Sequence, residues 1–134
     1  MISLASFLVA TVWGLLALRI ALAAIFLVHG KQKLAMWKMA PSEQMPASML
    51  TIMKILSIVE TLAGISMLLG FFTRLGALAI IIVMLGALYF KMFKWKTPFN
   101  SNTTTGWEFD LIILASGIML FFTGGGVVSF DLFF

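Results

Sequence analysis

The sequence predicts an all-α polytopic membrane protein, a bundle of four transmembrane helices, and two observations support this fold class. Hydrophobic residues make up 62% and charged residues only 10% of the 134 residues, whereas about 25% of a soluble globular domain is charged. Four apolar segments are long enough for a transmembrane helix, which needs about 17 to 25 residues. They leave no room for a separate soluble module, so we expect a single domain over residues 1–134.

The predicted helices follow one another along the chain. They cover about residues 4–34, 48–72, 73–90 and 107–123. The first is longer than one span requires, so it either tilts or begins with an extension at the membrane surface. Only residues 70–73 separate the second helix from the third, with Thr73 as the expected N-cap. A connection this short makes these two helices antiparallel neighbours.

The lysines predict how the chain is oriented. Seven of them flank the first and third connections, whereas only Arg74 marks the second. Positive residues accumulate on the cytoplasmic side, so we expect an inner (plasma) membrane protein with connections one and three in the cytoplasm. Because the net charge of +4 reflects these topology signals, the expected partner is the lipid bilayer and not a nucleic acid. The absence of cysteine excludes disulfides and thiolate metal sites.

Two ionisable residues lie inside apolar segments. Arg19 is the only charged residue between positions 4 and 28, and Glu60 is the only one between positions 55 and 73. An ionisable side chain at the bilayer centre costs about 2.5 to 3.5 kcal/mol on insertion scales, so such residues face a partner or a polar cavity. Arg19 and Glu60 are therefore the first candidates for a buried pair.

Helix geometry gives a depth for Glu60 and for Arg19 in the predicted bundle. Glu60 lies about 9 Å inward from Lys54, and Arg19 about 15 Å inward from His29, at about 1.5 Å per residue. A salt bridge or a water-linked contact is compatible with these depths. Two interpretations stay open. Arg19 holds an anion or a quinone-like carbonyl in a polar pocket where Glu60 exchanges protons, or the two residues form a structural ion pair that fixes helix register.

Other polar residues gather at the same end of the predicted bundle. His29 is the only histidine, with Lys33 one turn later, and it is either a proton carrier or a hydrogen-bonded interfacial residue. A lone histidine cannot build a metal site without carboxylate or thioether help, and no metal-binding residue is predicted. Residues 105–108 have the spacing of a capping box for the fourth helix, in which Glu108 reaches back to the cap. Asp110 follows, and this convergence favours a ligand site.

Methionine is frequent in this chain, with ten residues. Met45, Met49 and Met53 stand four residues apart, which predicts one helix face. Thioethers suit Cu(I), so copper handling is one interpretation. Methionine is also an adaptable filler of apolar interfaces, which is the other.

Several short motifs follow one another along the chain in a characteristic order. They are Arg19-Ile-Ala-Leu, His29-Gly30-x-x-Lys33, Glu60-x-x-x-Gly64, Leu69-Gly70-x-x-Thr73-Arg74, Trp107-Glu108 and Gly124-x-Gly126-x-x-Ser129-x-Asp131. In this order and spacing, from about Arg19 to Asp131, the chain resembles the DoxX-like family of small four-helix membrane proteins. The resemblance implies candidate catalytic residues Glu60, Arg19 and His29, and candidate cofactor-binding residues Lys33, Arg74 and Glu108.

The resemblance also implies a role near membrane redox chemistry. Relatives are associated with a thiosulfate:quinone oxidoreductase and with other membrane oxidoreductase assemblies. The expected function is a membrane anchor or quinone-side component of such a complex, with quinone as the cofactor and other membrane subunits as partners. The alternatives are a non-catalytic structural or assembly subunit, and a small-solute or copper carrier.

Overall fold

A computed structural model describes residues 3–133 and confirms the predicted all-α bundle. Its four helices are α1 (Leu4–Leu34), α2 (Ala47–Leu69), α3 (Thr73–Tyr89) and α4 (Trp107–Thr123). Shorter turns follow three of them: a 3₁₀ turn at Ala35–Lys38, a π-helical turn at Phe90–Lys94 and a second 3₁₀ turn at Phe130–Phe133. Met1, Ile2 and Phe134, which belong to the domain expected from the sequence, lie outside the described residues.

Three helical stretches of the described chain are long and apolar enough to cross a bilayer: Leu4–Lys38, Ala47–Leu69 and Thr73–Lys94. The fourth helix, α4, has 17 residues, at the lower end of the about 17 to 25 that a span requires. The outer faces of the helices expose many large apolar side chains, among them Leu62 and Leu75. Such faces suit contact with lipid, so the chain is an integral membrane protein.

The first two helices pack closely because glycines face the partner backbone. A Cβ on Gly30 would lie 3.0 Å from the Thr61 main-chain nitrogen, and a Cβ on Gly64 would lie 3.0 Å from the Leu27 main-chain nitrogen. In both contacts the two residue numbers add up to 91, as they do for an antiparallel pair in constant register. This register decides which polar residues of α1 and α2 can meet.

The turn between α2 and α3 begins at Gly70. Gly70 adopts the left-handed conformation, with φ of 65°, and ends α2 three residues earlier than the sequence predicted. Thr73 is the first residue of α3 and not its N-cap, so that expectation is wrong. The carboxylate of Asp131 replaces it, accepting the Thr73 N–H at 3.2 and 3.3 Å. An acidic group suits a helix N-terminus, where unpaired N–H groups carry positive partial charge.

The last helix runs antiparallel to α3. Asp110, in the first turn of α4, lies beside Lys91, which follows α3, whereas Gly124, at the end of α4, lies near Arg74 at the start of α3. Residues 124–133 then fold back over the α2–α3 turn, where the Asp131 N–H donates to the Gly70 carbonyl at 2.8 Å. The apolar core between the helices includes Leu22, Phe26, Ala63, Met67, Ile80 and Leu120.

Candidate functional site

A cavity of about 490 Å³ lies inside the bundle near its lysine-rich end, where α1 and α3 finish and α2 and α4 begin. All four helices line the cavity, and most of its wall is apolar. Apolar lining residues include Ile25, Phe26, Leu56, Val59, Val83 and Ile113. The titratable lining residues are His29, Lys33, Glu60, Lys91 and Asp110. An apolar wall with a few converging polar groups is typical of a small-molecule site.

Lys33 and Glu60 form the first ion pair of the cavity. The Lys33 ammonium donates to both carboxylate oxygens of Glu60, at 2.6 and 2.7 Å. Glu60 is only 3% exposed, and Lys33 reaches it from the last turn of α1. The close approach of α1 and α2 at Gly30 brings the two side chains together. The pair thus satisfies a buried carboxylate that would otherwise be costly in an apolar interior.

Lys91 and Asp110 form the second ion pair. Lys91 Nζ lies 2.6 Å from Asp110 Oδ2 and also donates to the Thr105 carbonyl at 3.1 Å. Asp110 is only 6% exposed, so the Lys91 ammonium supplies the counter-charge of a buried carboxylate. Lys91 belongs to the π-helical turn, a rare local geometry that often occurs at functional sites. Because a carboxylate oxygen has two lone pairs, Asp110 Oδ2 can accept a further hydrogen bond besides its contact with Lys91.

His29 contributes an imidazole ring to the cavity. Its Nδ1 atom lies 2.8 Å from the Ile25 carbonyl oxygen, four residues earlier in α1. A carbonyl oxygen only accepts, so Nδ1 is the donor, and in the neutral ring Nε2 is an acceptor. The helix backbone thus fixes the tautomer of His29.

The cavity opens toward lipid between α2 and α3. Ile52, Ile55 and Ile82 line it and are also exposed on the outer surface of the two helices. Gly86 lines the same cavity, and a Cβ built on it would meet nothing within 4 Å. A molecule dissolved in the bilayer therefore has a lateral route to the polar end.

The expected pair between Arg19 and Glu60 is wrong. Glu60 pairs with Lys33, as described above. Arg19 is 1% exposed, and its guanidinium donates to main-chain carbonyls near the opposite end of the bundle. Arg19 and Glu60 therefore belong to two separate polar sites.

The helix register explains the error. In the antiparallel register of α1 and α2, Arg19 is level with residue 72, twelve residues or about 18 Å along the axis from Glu60. A contact between Arg19 and Glu60 would require His29 and Lys54 to lie at about the same level of the bundle. The Lys54 ammonium instead lies 5.9 Å from the centre of the Trp37 ring, eight residues beyond His29.

Arg19 caps the C-terminal end of α2. Its Nε donates to the Met67 carbonyl at 3.0 Å and its Nη2 to the Leu68 carbonyl at 3.4 Å, two of the carbonyls that the last turn of a helix leaves unpaired. Its Nη1 donates to the carbonyls of Gly125 at 2.9 Å and Val128 at 2.6 Å. Arg19 therefore ties α1, α2 and the C-terminal segment together.

Two other candidates lie outside the cavity. Arg74 is exposed in the first turn of α3, and Glu108 is exposed in the first turn of α4. The capping box expected around Glu108 is also wrong, because Gly106 is the N-cap and makes no side-chain cap. The Glu108 N–H donates instead to the Phe99 carbonyl, at 3.1 Å.

The methionine stripe is only partly helical. Met45 precedes α2, so the expectation that it shares a helix face with Met49 and Met53 is wrong. Met49, Met53 and Met84 line the cavity wall. Within the described residues, no group of three or more histidine, cysteine, aspartate or glutamate side chains converges in a geometry that suits a metal ion.

The structure thus brings together three of the six candidates, Glu60, His29 and Lys33. It adds Lys91 and Trp95 as lining residues, which the sequence presented only as parts of a basic connection. The π-helical turn that includes Lys91 has no recognised sequence signal. The sequence signal that marks Lys91 is its position directly after an apolar segment.

Comparison with known proteins adds the family. Residues 14–92, more than half of the chain, match the DoxX family model. The chain matches no curated protein and no solved structure. The matched region includes α2, α3 and the part of α1 that carries Arg19, His29 and Lys33. The chain therefore belongs to the DoxX family of membrane proteins.

Proposed function

We propose that this protein is a membrane anchor and quinone-side component of an oxidoreductase complex, and that its cavity binds the quinone. The observation that carries the proposal is the cavity itself, which joins apolar walls, a lateral opening to lipid and a polar end. Its volume lies within the range of about 300 to 1,000 Å³ common for small-molecule sites. A quinone is an apolar molecule with a polar ring, so its two parts match the two parts of the cavity.

The polar groups also fit a quinone ring. Lys33 and Lys91 supply ammonium donors for carbonyl oxygens, whereas His29 Nε2 and Asp110 Oδ2 supply acceptors for hydroxyl groups. A quinone supplies two-electron, two-proton redox chemistry when bound. The side chains of this chain orient the ring, and His29 and Glu60 are the groups beside it that exchange protons with it. Glu60, His29 and Lys33 therefore remain candidate site residues.

Filling the cavity tests this proposal. Gly86→Phe introduces a ring where a Cβ meets open space, so we expect the protein to fold and the affinity for decylubiquinone to fall by about tenfold or more, a loss of about 1.4 kcal/mol. Gly14→Phe is the matched control, because a Cβ on Gly14 also meets nothing within 4 Å and Gly14 does not line the cavity. Binding would be measured on protein in lipid nanodiscs, with empty nanodiscs subtracted.

Equal affinities for the two variants would reject the cavity as the quinone site. Wild-type protein that binds no quinone would reject the proposed function altogether. Photoaffinity labelling with an azidoquinone adds a positional readout, and we expect labels on the α2 and α3 residues that line the opening.

The proposed partners are other membrane subunits. Purification in mild detergent, followed by identification of co-purifying proteins, tests this part of the proposal. We expect an oxidoreductase subunit with a redox cofactor of its own. A chain that purifies alone, together with full quinone binding, would limit the proposal to a quinone-binding protein.

The proposed location is the inner (plasma) membrane, with the lysine-rich end in the cytoplasm. The chain has no cysteine, so single cysteines can report the orientation. Glu43→Cys lies in the first connection and Val127→Cys at the opposite end, and both positions are exposed. A membrane-impermeant maleimide should label Val127→Cys, and not Glu43→Cys, on intact cells. The reverse pattern would invert the topology.

Arg19 favours a second candidate function, that of a non-catalytic assembly subunit. Its four main-chain contacts stabilise the bundle at a distance from the cavity, as a purely structural residue would. This function predicts that Gly86→Phe leaves the activity of the assembled complex unchanged. The quinone proposal predicts a loss of that activity while the complex still assembles.

A further inference from the structure

The charged groups of the cavity occur in balanced pairs. Of its titratable lining residues, two are lysines and two are carboxylates, and each lysine lies 2.6 Å from a carboxylate oxygen. One pair joins α1 to α2, and the other joins the π-helical turn to α4. His29 is the remaining titratable lining residue.

This balance determines which head groups are stable in the cavity. An anion that approaches Lys33 or Lys91 meets the paired carboxylate at nearly the same distance, so attraction and repulsion largely cancel. The anion also loses its hydration on entering an apolar space, which is costly without a compensating charge. An uncharged head group loses far less hydration and can still accept hydrogen bonds from the lysines.

We infer that Glu60 and Asp110 are specificity-determining residues, which neutralise Lys33 and Lys91 so that the cavity takes uncharged amphiphiles and rejects anionic ones. The inference rests on the proposed function, since it names the class of ligand that the same cavity accepts. It assigns Asp110 and Lys91 to the site on equal terms with Glu60 and Lys33.

Removal of one carboxylate should reverse the preference. Glu60→Gln keeps the shape of the side chain and leaves Lys33 without a counter-charge beside the cavity. Asp110→Asn does the same for Lys91 in the other pair. The double change Lys33→Met with Glu60→Gln removes both charges of one pair and should restore the preference for uncharged ligands.

Dodecanol and dodecanesulfonate are suitable probes, because they share one alkyl chain and differ in charge. Radiolabelled forms would be measured by equilibrium dialysis against the protein in phosphatidylcholine nanodiscs, with empty nanodiscs subtracted. We expect wild type to favour dodecanol, and Glu60→Gln and Asp110→Asn to gain about tenfold or more in affinity for dodecanesulfonate. Glu43→Gln is the matched control, because it changes the net charge equally from an exposed position in the first connection.

The outcomes separate the inference from the proposed function. Unchanged dodecanesulfonate binding in both carboxylate variants, when each variant elutes as a folded, monodisperse protein, would overturn the inference. So would a wild type that binds the sulfonate as tightly as the alcohol, or that binds neither. A wild type that binds dodecanol selectively but not decylubiquinone would support the charge selectivity and reject only the quinone role.

Discussion

Lys33 and Glu60 hold α1 and α2 in register through a bidentate ion pair, with the Lys33 ammonium 2.6 and 2.7 Å from the two carboxylate oxygens. The pair lies at the level where Gly30 meets Thr61, so backbone packing and ion pairing specify the same register. A helix shift by one residue would move the ammonium and the carboxylate apart by about 1.5 Å. The pair thus has a structural role in addition to its place in the cavity.

Loss of one partner from this pair should destabilise the protein. Lys33→Met leaves the Glu60 carboxylate buried without a cation, and we expect a loss of about 3 to 5 kcal/mol in the free energy of unfolding. Lys33→Met combined with Glu60→Gln should recover much of this loss, since no buried charge is then left unpaired. Unfolding in mixed micelles would measure both, with Lys38→Met as the exposed control. A double variant less stable than the single one would contradict this account.

Arg19→Leu should loosen the C-terminal segment more than the rest of the chain. The change leaves the carbonyls of Gly125 and Val128 without their donor. Hydrogen exchange of residues 124–133 should accelerate, and stability should fall by about 1 to 3 kcal/mol for the buried groups left unsatisfied. Arg74→Leu is the matched control, because Arg74 is exposed. Equal exchange in the two variants would show that Arg19 does not hold the segment.

Gly70→Ala should be poorly tolerated. Gly70 has φ of 65°, and a Cβ there would collide with the Arg19 guanidinium and lie 2.5 Å from Ser129 Cβ. We expect a loss of at least about 1 to 3 kcal/mol, the usual cost of backbone strain alone. Gly14→Ala, in open space within α1, should be neutral or stabilising by up to about 1 kcal/mol. The thermal unfolding midpoints of the two variants would provide the comparison.

Asp131→Ala should weaken the start of α3. The Asp131 carboxylate accepts the Thr73 N–H, and loss of a helix cap costs about 0.5 to 2 kcal/mol. Asp131→Asn keeps an acceptor oxygen but loses the charge, so its stability should lie between those of wild type and Asp131→Ala. An asparagine variant as unstable as the alanine variant would indicate that the charge, and not the acceptor, stabilises the helix.

The helices were predictable because each is a continuous apolar run that ends at a recognisable signal. Gly70 ends α2 in the left-handed conformation, and charged or polar residues follow α1 and α3. The two missed caps have one cause. Thr73 and Glu108 have suitable local spacing, but the groups that contact these helix starts, the Asp131 carboxylate and the Phe99 carbonyl, come from other segments.

The sequence predicted that Arg19 and Glu60 are buried, but not which groups they contact. An improbable charge in an apolar segment identified Glu60 and Arg19 as buried residues, and the structure buries both. Their partners depend on the relative register of two helices, which hydropathy does not encode. The partners of Arg19 are main-chain carbonyls, and every residue type offers one, so no sequence pattern distinguishes Met67, Leu68, Gly125 or Val128 as its acceptors.

The hydrogen bonds of Arg19 also form in a fixed order during synthesis of the chain. Its acceptors Gly125 and Val128 follow it by 106 and 109 residues, so they leave the ribosome long after α1. Until these two residues are translated, the guanidinium lacks two of its four acceptor carbonyls. An incompletely paired charge favours contact of α1 with water or with the translocon. The segment that follows α4 thus completes the burial of a charge from α1.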